Sequence, residues 1–360
     1  MVVIIGFAIK GTVQTGSVRI GVMLPLTGGL ASYGEPAQKV ADLAVAEINA
    51  NGGINGRKLE IVYGNHKCDP KEIVTVFESM LMQKIHVFNS VACSGTVAAI
   101  APGLVAKDVV LVGTAISASK LTGVSPSFFR NWASDSQEAK VLADQIIKKG
   151  YKSVAILYEE TDYAKGLKMD LENNLKGKDV KIVSESFTTG TSDMRTQLTK
   201  LKALKADAML ASVQTAVSGE VVLTQMEQLN FNPKMIVNYN ILKATDLVKK
   251  HAAILEGAIG ADYFIKDSQK LDKVLADYKT TYGVDCPQRN ICAMEYDAIQ
   301  MIAQGLREKG DSASGVKAYL SKATYSGVTG AVSFDAKNDR NNSDYVPYVI
   351  KAGEAARVTE

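Results

Sequence analysis

The residues able to do chemistry in this chain point to binding rather than bond-making. Its three histidines, His66, His86 and His251, are scattered, and no Gly-x-Ser-x-Gly nucleophile elbow occurs. There is no phosphate-cradling P-loop and no His-Glu-x-x-His metal helix. Gly21, Gly28 and Gly29 make no dinucleotide fingerprint, because a proline intervenes and they do not open a helix tightly. What remains is polar material suited to holding a small anion. Cys93-Ser94-Gly95-Thr96 stands where a β-type run (87–92) meets a helical pattern (94–107) interrupted by Pro102. Free backbone N–H groups at such a helix start, with the Ser94 and Thr96 hydroxyls, suit a carboxylate. Ser94 reads equally as a plain N-cap worth about 1 kcal/mol. Gly113-Thr114-Ala115-Ile116-Ser117 follows the next β run and taken alone is an ordinary Ser/Thr turn. Tyr33 sits in the first loop; Tyr163 opens a later helix, where Asp162 reads as its N-cap.

These residues need a scaffold, and the hydrophobic pattern supplies one. A β-branched run (18–24) stops at Pro25, and a Gly/Ser/Thr loop follows. A helical stretch with Val40, Leu43, Ala44, Ala46 and Ile48 on one side ends at Asn51-Gly52-Gly53, before a second β run (59–63). Strand, loop, helix, glycine stop and strand make a βαβ crossover, the founding unit of a parallel sheet. Ligands of such sheets bind where loops leave the carboxyl ends of strands, which directs attention to the loop 25–36. Strands over 109–113 and 128–132 extend the series. A second series starts at Asp135, with helices over 135–149, 162–175, 194–205 and 217–229 and strands over 153–158, 181–187, 208–213 and 235–237. Two runs of βα units with an irregular joint between them predict an α/β chain of two doubly wound parallel-sheet lobes. No linker is rich in Pro or Ser, so the lobes are joined by short segments rather than a tether. Helical patterns after Gln269 and Asn290 are not assigned to either lobe by pattern.

Composition sets bounds on this scheme. The 360 residues exceed the roughly 250–300 at which single cores stop growing. A net charge of +3, with Lys and Arg spread along helices, argues against a nucleic-acid surface. The apolar start (1–9) is too short to span a bilayer; residues 1–17 read as a signal-peptide remnant or disordered start, or alternatively as an extra strand or a misassigned start. No other segment is apolar enough for a transmembrane helix, so a soluble mature chain is expected. The four cysteines form no CxxC, and with scattered histidines they match no zinc pattern. Cys68 follows the second strand and Cys93 the third, and neighbouring parallel strands can bring such exits within disulfide range. Cys286 and Cys292 read either as a second disulfide or as buried thiols.

The wording of several segments resembles one family. Pro25-Leu26-Thr27-Gly28, Tyr33-Gly34, the stretch INANGGINGRKLE (48–60), Cys68-Asp69-Pro70, Cys93-Ser94 and Asp162-Tyr163 are similar to type I periplasmic binding proteins of ABC transporters. More narrowly they resemble the branched-chain amino acid (leucine/isoleucine/valine) binding branch, over about 18–350. The resemblance implies one lobe over 18–132 and 262–334 and another over 133–261 and 335–360, joined by a three-crossover hinge. It implies a Cys68–Cys93 disulfide, and with the apolar start and even cysteine count it favours export to an oxidising compartment.

Carried over residue by residue, the resemblance makes Ser94 the holder of the ligand carboxylate, with Gly95 and Thr96 beside it. Ala115 offers a backbone carbonyl to the ligand amine, Ser117 touches amine and carboxylate, and Tyr33 and Tyr163 line the side-chain pocket. The pattern fails in the second lobe, where Gln214-Thr215 replaces a usual tyrosine and Tyr239 occupies the place of the glutamate that pairs with the ligand ammonium. No acid lies between Glu227 and Asp246, and a buried ammonium without a carboxylate partner is costly. Either Asp162 or Glu220 substitutes, or the ligand lacks an amine, so a non-amino carboxylate is expected to bind better than leucine, isoleucine or valine.

The implied function is an extracytoplasmic solute-binding protein of an ABC importer, periplasmic, secreted or membrane-associated. It would close two lobes over an amino acid or a related organic or aromatic acid. It would be a monomer with no catalysis, cofactor, metal or nucleic acid, and its partners would be the solute and a membrane permease. The alternative on the same fold is a ligand-sensing regulatory or receptor module, such as an amide sensor, disfavoured by the export-like start and the Cys68–Cys93 pair.

Overall fold

A computed structural model describes residues 16–342 and 344–359, so almost all of the leader expected over 1–17 lies outside the described residues. The first lobe is built from β1 (Val18–Leu24), α1 (Ala31–Ala50), β2 (Leu59–Asn65), α2 (Pro70–Met82), β3 (Val87–Val91), α3 (Ser94–Ile100), β4 (Val110–Thr114) and β5 (Phe128–Arg130). Its sheet runs β2-β1-β3-β4-β5 with all pairs parallel. β3 and β4 are buried along their whole length, which is why they read as continuous runs rather than alternating ones.

Family-like wording marks the joints of this lobe. Val40, Ala41, Ala44 and Ile48 form the buried stripe of α1. The helix stops because Gly53, at φ 66°, donates its N–H to the Ile48 carbonyl, and any Cβ there would lie 2.0 Å from the Arg57 carbonyl oxygen. At the other end a Cβ on Gly34 would sit 2.3 Å from the Pro25 oxygen, so the first turn of α1 lies tight against the β1 exit loop. In Cys68-Asp69-Pro70, the Asp69 carboxylate accepts from the N–H groups of Lys71 and Glu72, and Pro70 begins α2. The helix expected over 94–107 ends sooner. α3 stops at Ile100 and a short 3-10 turn carries Ala101–Gly103, because Pro102 has no N–H to continue the ladder.

The chain then crosses to the second lobe: α4 (Asp135–Lys148), β6 (Ser153–Glu159), α5 (Asp162–Leu175), β7 (Lys181–Phe187), α6 (Arg195–Ala203), β8 (Ala208–Ser212), α7 (Ala216–Gln228) and β9 (Lys234–Val237). Three short helices, α8 (Tyr239–Leu242), α9 (Thr245–Lys250) and α10 (Ala252–Leu255), lead to β10 (Ile259–Tyr263). The helices left unassigned by pattern, α11 (Gln269–Tyr282) and α12 (Arg289–Lys309), return to the first lobe with α13 (Ala313–Leu320), since α12 packs along α1 and against β3 and β4. After the hairpin β11 (Tyr325–Gly327) and β12 (Gly330–Val332), the chain ends in β13 (Tyr345–Lys351) and β14 (Glu354–Arg357). The second sheet runs β14-β13-β10-β9-β8-β6-β7, with β13 antiparallel to β10.

The segments joining the lobes are tied to one another. Arg130, fully buried at the end of β5, donates through Nε to Asp339 Oδ1 at 2.8 Å. Beside it Arg340 donates to Asn131 Oδ1 at 2.7 Å. No helix among the described residues is long and apolar enough to cross a membrane.

Candidate functional site

Because every strand of the first sheet runs the same way, its loops gather at one edge, and the exits of β6, β8 and β9 face them from the second lobe. A narrow cavity lies between. The first lobe lines it with Leu30, Tyr33, Ala92, Cys93, Ser94, Ala115, Ser117 and Trp132, and the second with Tyr163, Gln214, Tyr239, Asn240 and Tyr345. Its volume is about 30 Å3, room for little more than water, so the lobes stand closed over it. A solute of amino-acid size enters only if they part.

Backbone geometry at the first-lobe wall is unusual. Ala92, Cys93 and Ala115 adopt left-handed φ values of 61°, 64° and 55°, although none is glycine. Such conformations cost of order 1–3 kcal/mol each and concentrate at ligand clamps. Cys93 is tied to Cys68, with Cα atoms 5.4 Å apart, which fixes the turn into α3. Cys286 and Cys292 also lie at disulfide distance, with Cα atoms 6.7 Å apart.

Ser94 does not cap α3, contrary to one expectation. Cys93 occupies the cap position, and Ser94 Oγ instead accepts the backbone N–H groups of Ser117 (3.2 Å) and Ala118 (3.0 Å). The loop that donates them is held from behind by Arg130, whose Nη1 donates to the Ser117 and Ala118 carbonyls at 2.9 and 3.2 Å. With its oxygen occupied by two donors, Ser94 keeps its hydroxyl hydrogen for an acceptor in the cavity. Thr96 turns its hydroxyl to the Cys93 carbonyl at 2.7 Å and does not line the cavity; neither does Gly95.

The cavity wall is aromatic. Tyr33 lies in the first turn of α1 rather than in the loop before it. Trp132 meets Tyr239 edge-on at 6.0 Å between ring centroids, and Tyr263 links Trp132 to Tyr345. Burial raises the hydroxyl pKa of Tyr33, Tyr163, Tyr239 and Tyr345, so all four remain neutral hydrogen-bonding groups.

The acids suggested as substitutes stand elsewhere. Thr161, not Asp162, caps α5, and the Asp162 carboxylate pairs with Lys120 of the first lobe at 2.6 Å, outside the cavity wall. Glu220 pairs with Lys250 and His251. Thr215 caps α7 by accepting the Ser218 N–H, while its neighbour Gln214 lines the cavity.

Two acids that pattern reading missed lie behind the cavity instead. Glu138 is fully buried on α4, its Oε1 accepting the Tyr239 N–H at 2.9 Å and its Oε2 the Tyr163 hydroxyl at 3.3 Å. Asp135, one turn earlier, is also fully buried. Burial pushes the Asp135 carboxyl up to about 8, against a smaller lowering by Ser117 and Arg130. Burial, reinforced by Asp135, holds Glu138 well above the usual carboxylate range. Trp132, Asn240 and Tyr345 were also missed, since one is the first residue of a crossover, one neighbours an expected site residue and one comes from the C-terminal hairpin.

Comparison with known proteins agrees with this architecture. Residues 17–355 match the periplasmic binding protein family. The leucine-, isoleucine-, valine-, threonine- and alanine-binding protein of Pseudomonas aeruginosa is 25% identical over 356 residues, covering 96% of this chain and 92% of that protein. The crystal structure of a leucine-binding protein from Thermotoga maritima is similar with a TM-score of 0.84 at 19% identity, covering 95% of this chain and 98% of the other. An ABC transporter solute-binding protein from R. palustris, solved with 4-hydroxybenzoate, gives a TM-score of 0.83 at 16% identity, covering 96% of each chain. The chain belongs to the periplasmic binding protein family, and its relatives are solute-binding proteins of transporters rather than enzymes.

Proposed function

We propose that this protein traps a small carboxylate-bearing solute, an amino acid or a related organic or aromatic acid, between its lobes and presents it to the membrane permease of an ABC importer. The lobes are assigned as 18–132 with 262–334 and 133–261 with 335–360, and the protein works outside the cytoplasm as a monomer. The observation that carries this reading is Ser94. Its oxygen is saturated by two backbone donors, so its hydrogen is free for an anionic oxygen at the closed cavity. Ser117 completes the carboxylate end; Tyr33, Tyr163, Gln214 and Tyr239 surround the rest of the solute. The named relatives that bind aliphatic amino acids and 4-hydroxybenzoate share a carboxylate as their common chemistry.

Hinge closure is the mechanism of capture, because a cavity of about 30 Å3 admits nothing of that size without parting of the lobes. Small-angle scattering during a thermal-shift screen of amino acids, aromatic acids and amides tests it. A specific ligand at a hundredfold excess over Kd stabilises by about 2.7 kcal/mol, and the same ligand should reduce the radius of gyration. A stabilising ligand that leaves the radius unchanged contradicts capture by closure.

A further inference from the structure

The narrow cavity at Ser94 is not the end of the space between the lobes. Leu30, Tyr33 and Asn240 wall it on one side and, on their other side, wall a larger outer cavity of about 470 Å3. The outer cavity needs both lobes, with Gly29 and Ser32 of the first facing Val217, Ala244 and Leu247 of the second. Cavities of about 590 and 390 Å3 elsewhere are each lined from one lobe alone, over 152–182 and over 43–51 with 273–296, so closure does not build them. Closure does build the outer cavity, and builds it against the wall that seals the solute site.

The lining of this space is held in place and mostly uncharged. Pro287 and Gln288 close it from the first lobe, on a loop pinned at both ends because Cys286 and Cys292 lie at disulfide distance. From the second lobe, Thr215 caps α7 by accepting the Ser218 N–H, which sets Val217 in the first turn at the cavity. A Cβ on Gly29 would meet Thr215 Cγ2 at 3.5 Å, so the lobes come into contact beside it. Val217 is a large apolar side chain left 67% exposed there, whereas Leu30 and Leu247 are buried in the same wall. The two charges at the cavity are spent or solvated: Lys243 pairs with Asp262 at 2.9 Å, and Asp246 is exposed. A space of this size at a domain interface, apolar with a few polar groups, has the character of a small-molecule site.

We propose that the outer cavity holds the far end of the solute, so that the protein favours carboxylates carrying a long, uncharged, largely apolar tail. The assignment rests on the solute-trapping role argued above. With its carboxylate at Ser94 a solute soon exhausts the narrow cavity of about 30 Å3, and its chain runs on along Leu30, past the Tyr33–Asn240 pair. Each further methylene then leaves water for the outer cavity, and the tail covers Val217. A solute that ends short leaves the outer cavity to water.

The test is calorimetry with straight-chain acids from propanoate to decanoate, run beside their 2-amino counterparts so that the outcome does not turn on an amine, with benzoate and 4-hydroxybenzoate alongside. In whichever straight-chain series binds, affinity should rise by about two- to fourfold per methylene beyond butanoate, at one solute per chain, and level off once the outer cavity is full. Val217→Asp, exposed and outside the narrow cavity, should weaken octanoate or 2-aminooctanoate about fivefold or more and leave the four-carbon acid of the same series unchanged. Ala216→Phe, which fills the outer cavity from the same turn, should act likewise. Affinity that does not grow with chain length, two solutes per chain, binding of the benzoates alone, or long-chain affinity unchanged in both folded variants overturns the assignment while leaving the trapping role intact. If no carboxylate of the panel binds, the trapping role fails and the assignment falls with it.

Discussion

The Tyr33 hydroxyl of the first lobe donates to Asn240 Oδ1 of the second at 2.7 Å, a bond that spans the cleft at the cavity wall. It also stands between two spaces. Leu30, Tyr33 and Asn240 line both the narrow inter-lobe cavity and the outer cavity of about 470 Å3 bordered by Lys243, Asp246 and Gln288. Asn240 is held in place by its own donation to the Val213 carbonyl at 2.9 Å, so the acceptor that Tyr33 meets is fixed within the second lobe.

Tyr33→Phe should therefore loosen the closed form. It deletes one hydrogen bond and leaves a buried acceptor unpaired, a cost of roughly 1–3 kcal/mol. Most of that should appear as faster ligand release, about fivefold or more, with little change in the association rate. Stopped-flow measurement of ligand dissociation checks it; an unchanged release rate removes Tyr33–Asn240 from the latch.

The turn at Cys93 should depend on its link to Cys68. The pair closes a loop with a sequence separation of 25, for which the chain-entropy description gives about 3.5 kcal/mol. Thiol counting on unfolded, unreduced protein from an oxidising compartment should find neither of these cysteines free. Cys68→Ser with Cys93→Ser should lower thermal stability and weaken ligand binding together, because Cys93 holds its left-handed turn at the cavity wall. A loss of stability with binding untouched would separate the bridge from the site.

A buried acid far from any partner charge should give the first lobe a distinctive pH dependence. Glu295 on α12 is fully buried, with neither carboxyl oxygen completing a hydrogen bond of normal geometry, and burial raises its carboxyl to about 8 against a smaller lowering by the neighbouring Thr114 and Asn89. The folded state then binds a proton that the unfolded state releases near the ordinary glutamate value. The contribution is complete at acid pH and is lost as pH rises from about 4 through about 8. Glu295→Gln keeps the shape without the charge, and Asn89 Oδ1, which has no partner, can accept from the new amide. Its stability relative to the unaltered protein should grow by a few kcal/mol between pH 5 and pH 9, measured by urea unfolding. A difference independent of pH contradicts the buried, protonated state.

Much of this was legible in the residues because the joints are locally encoded. The β1, α5 and β7 boundaries follow from apolar periodicity bounded by Pro25, by the Thr161-Asp162 start and by the Phe187 end. The parallel-sheet pattern points to the strand exits, but Tyr33, Ser94, Ala115, Ser117 and Tyr163 are singled out there by the family resemblance, since each reads alone as an ordinary cap, turn or packed ring; all five line the cavity. Caps were misassigned by one residue at Ser94 and Asp162, since a left-handed Cys93 and a capping Thr161 look no different in sequence from their neighbours. Glu138 escaped for a deeper reason. The search for an acid followed the strand exits of the second lobe, whereas Glu138 reaches Tyr239 from a helix about a hundred residues earlier, a juxtaposition only the crossover creates. Asp162 and Glu220, attractive by proximity in sequence, are spent on Lys120 and on Lys250 with His251.

The most direct test of the account is titration calorimetry of one small carboxylate into the unaltered protein and into Ser94→Ala. The account predicts one site, no chemical conversion of the solute, and a loss of roughly 1.5–3 kcal/mol in the variant, about a tenfold to more than hundredfold drop in affinity. Undiminished binding by folded Ser94→Ala, or turnover of the solute, would contradict it.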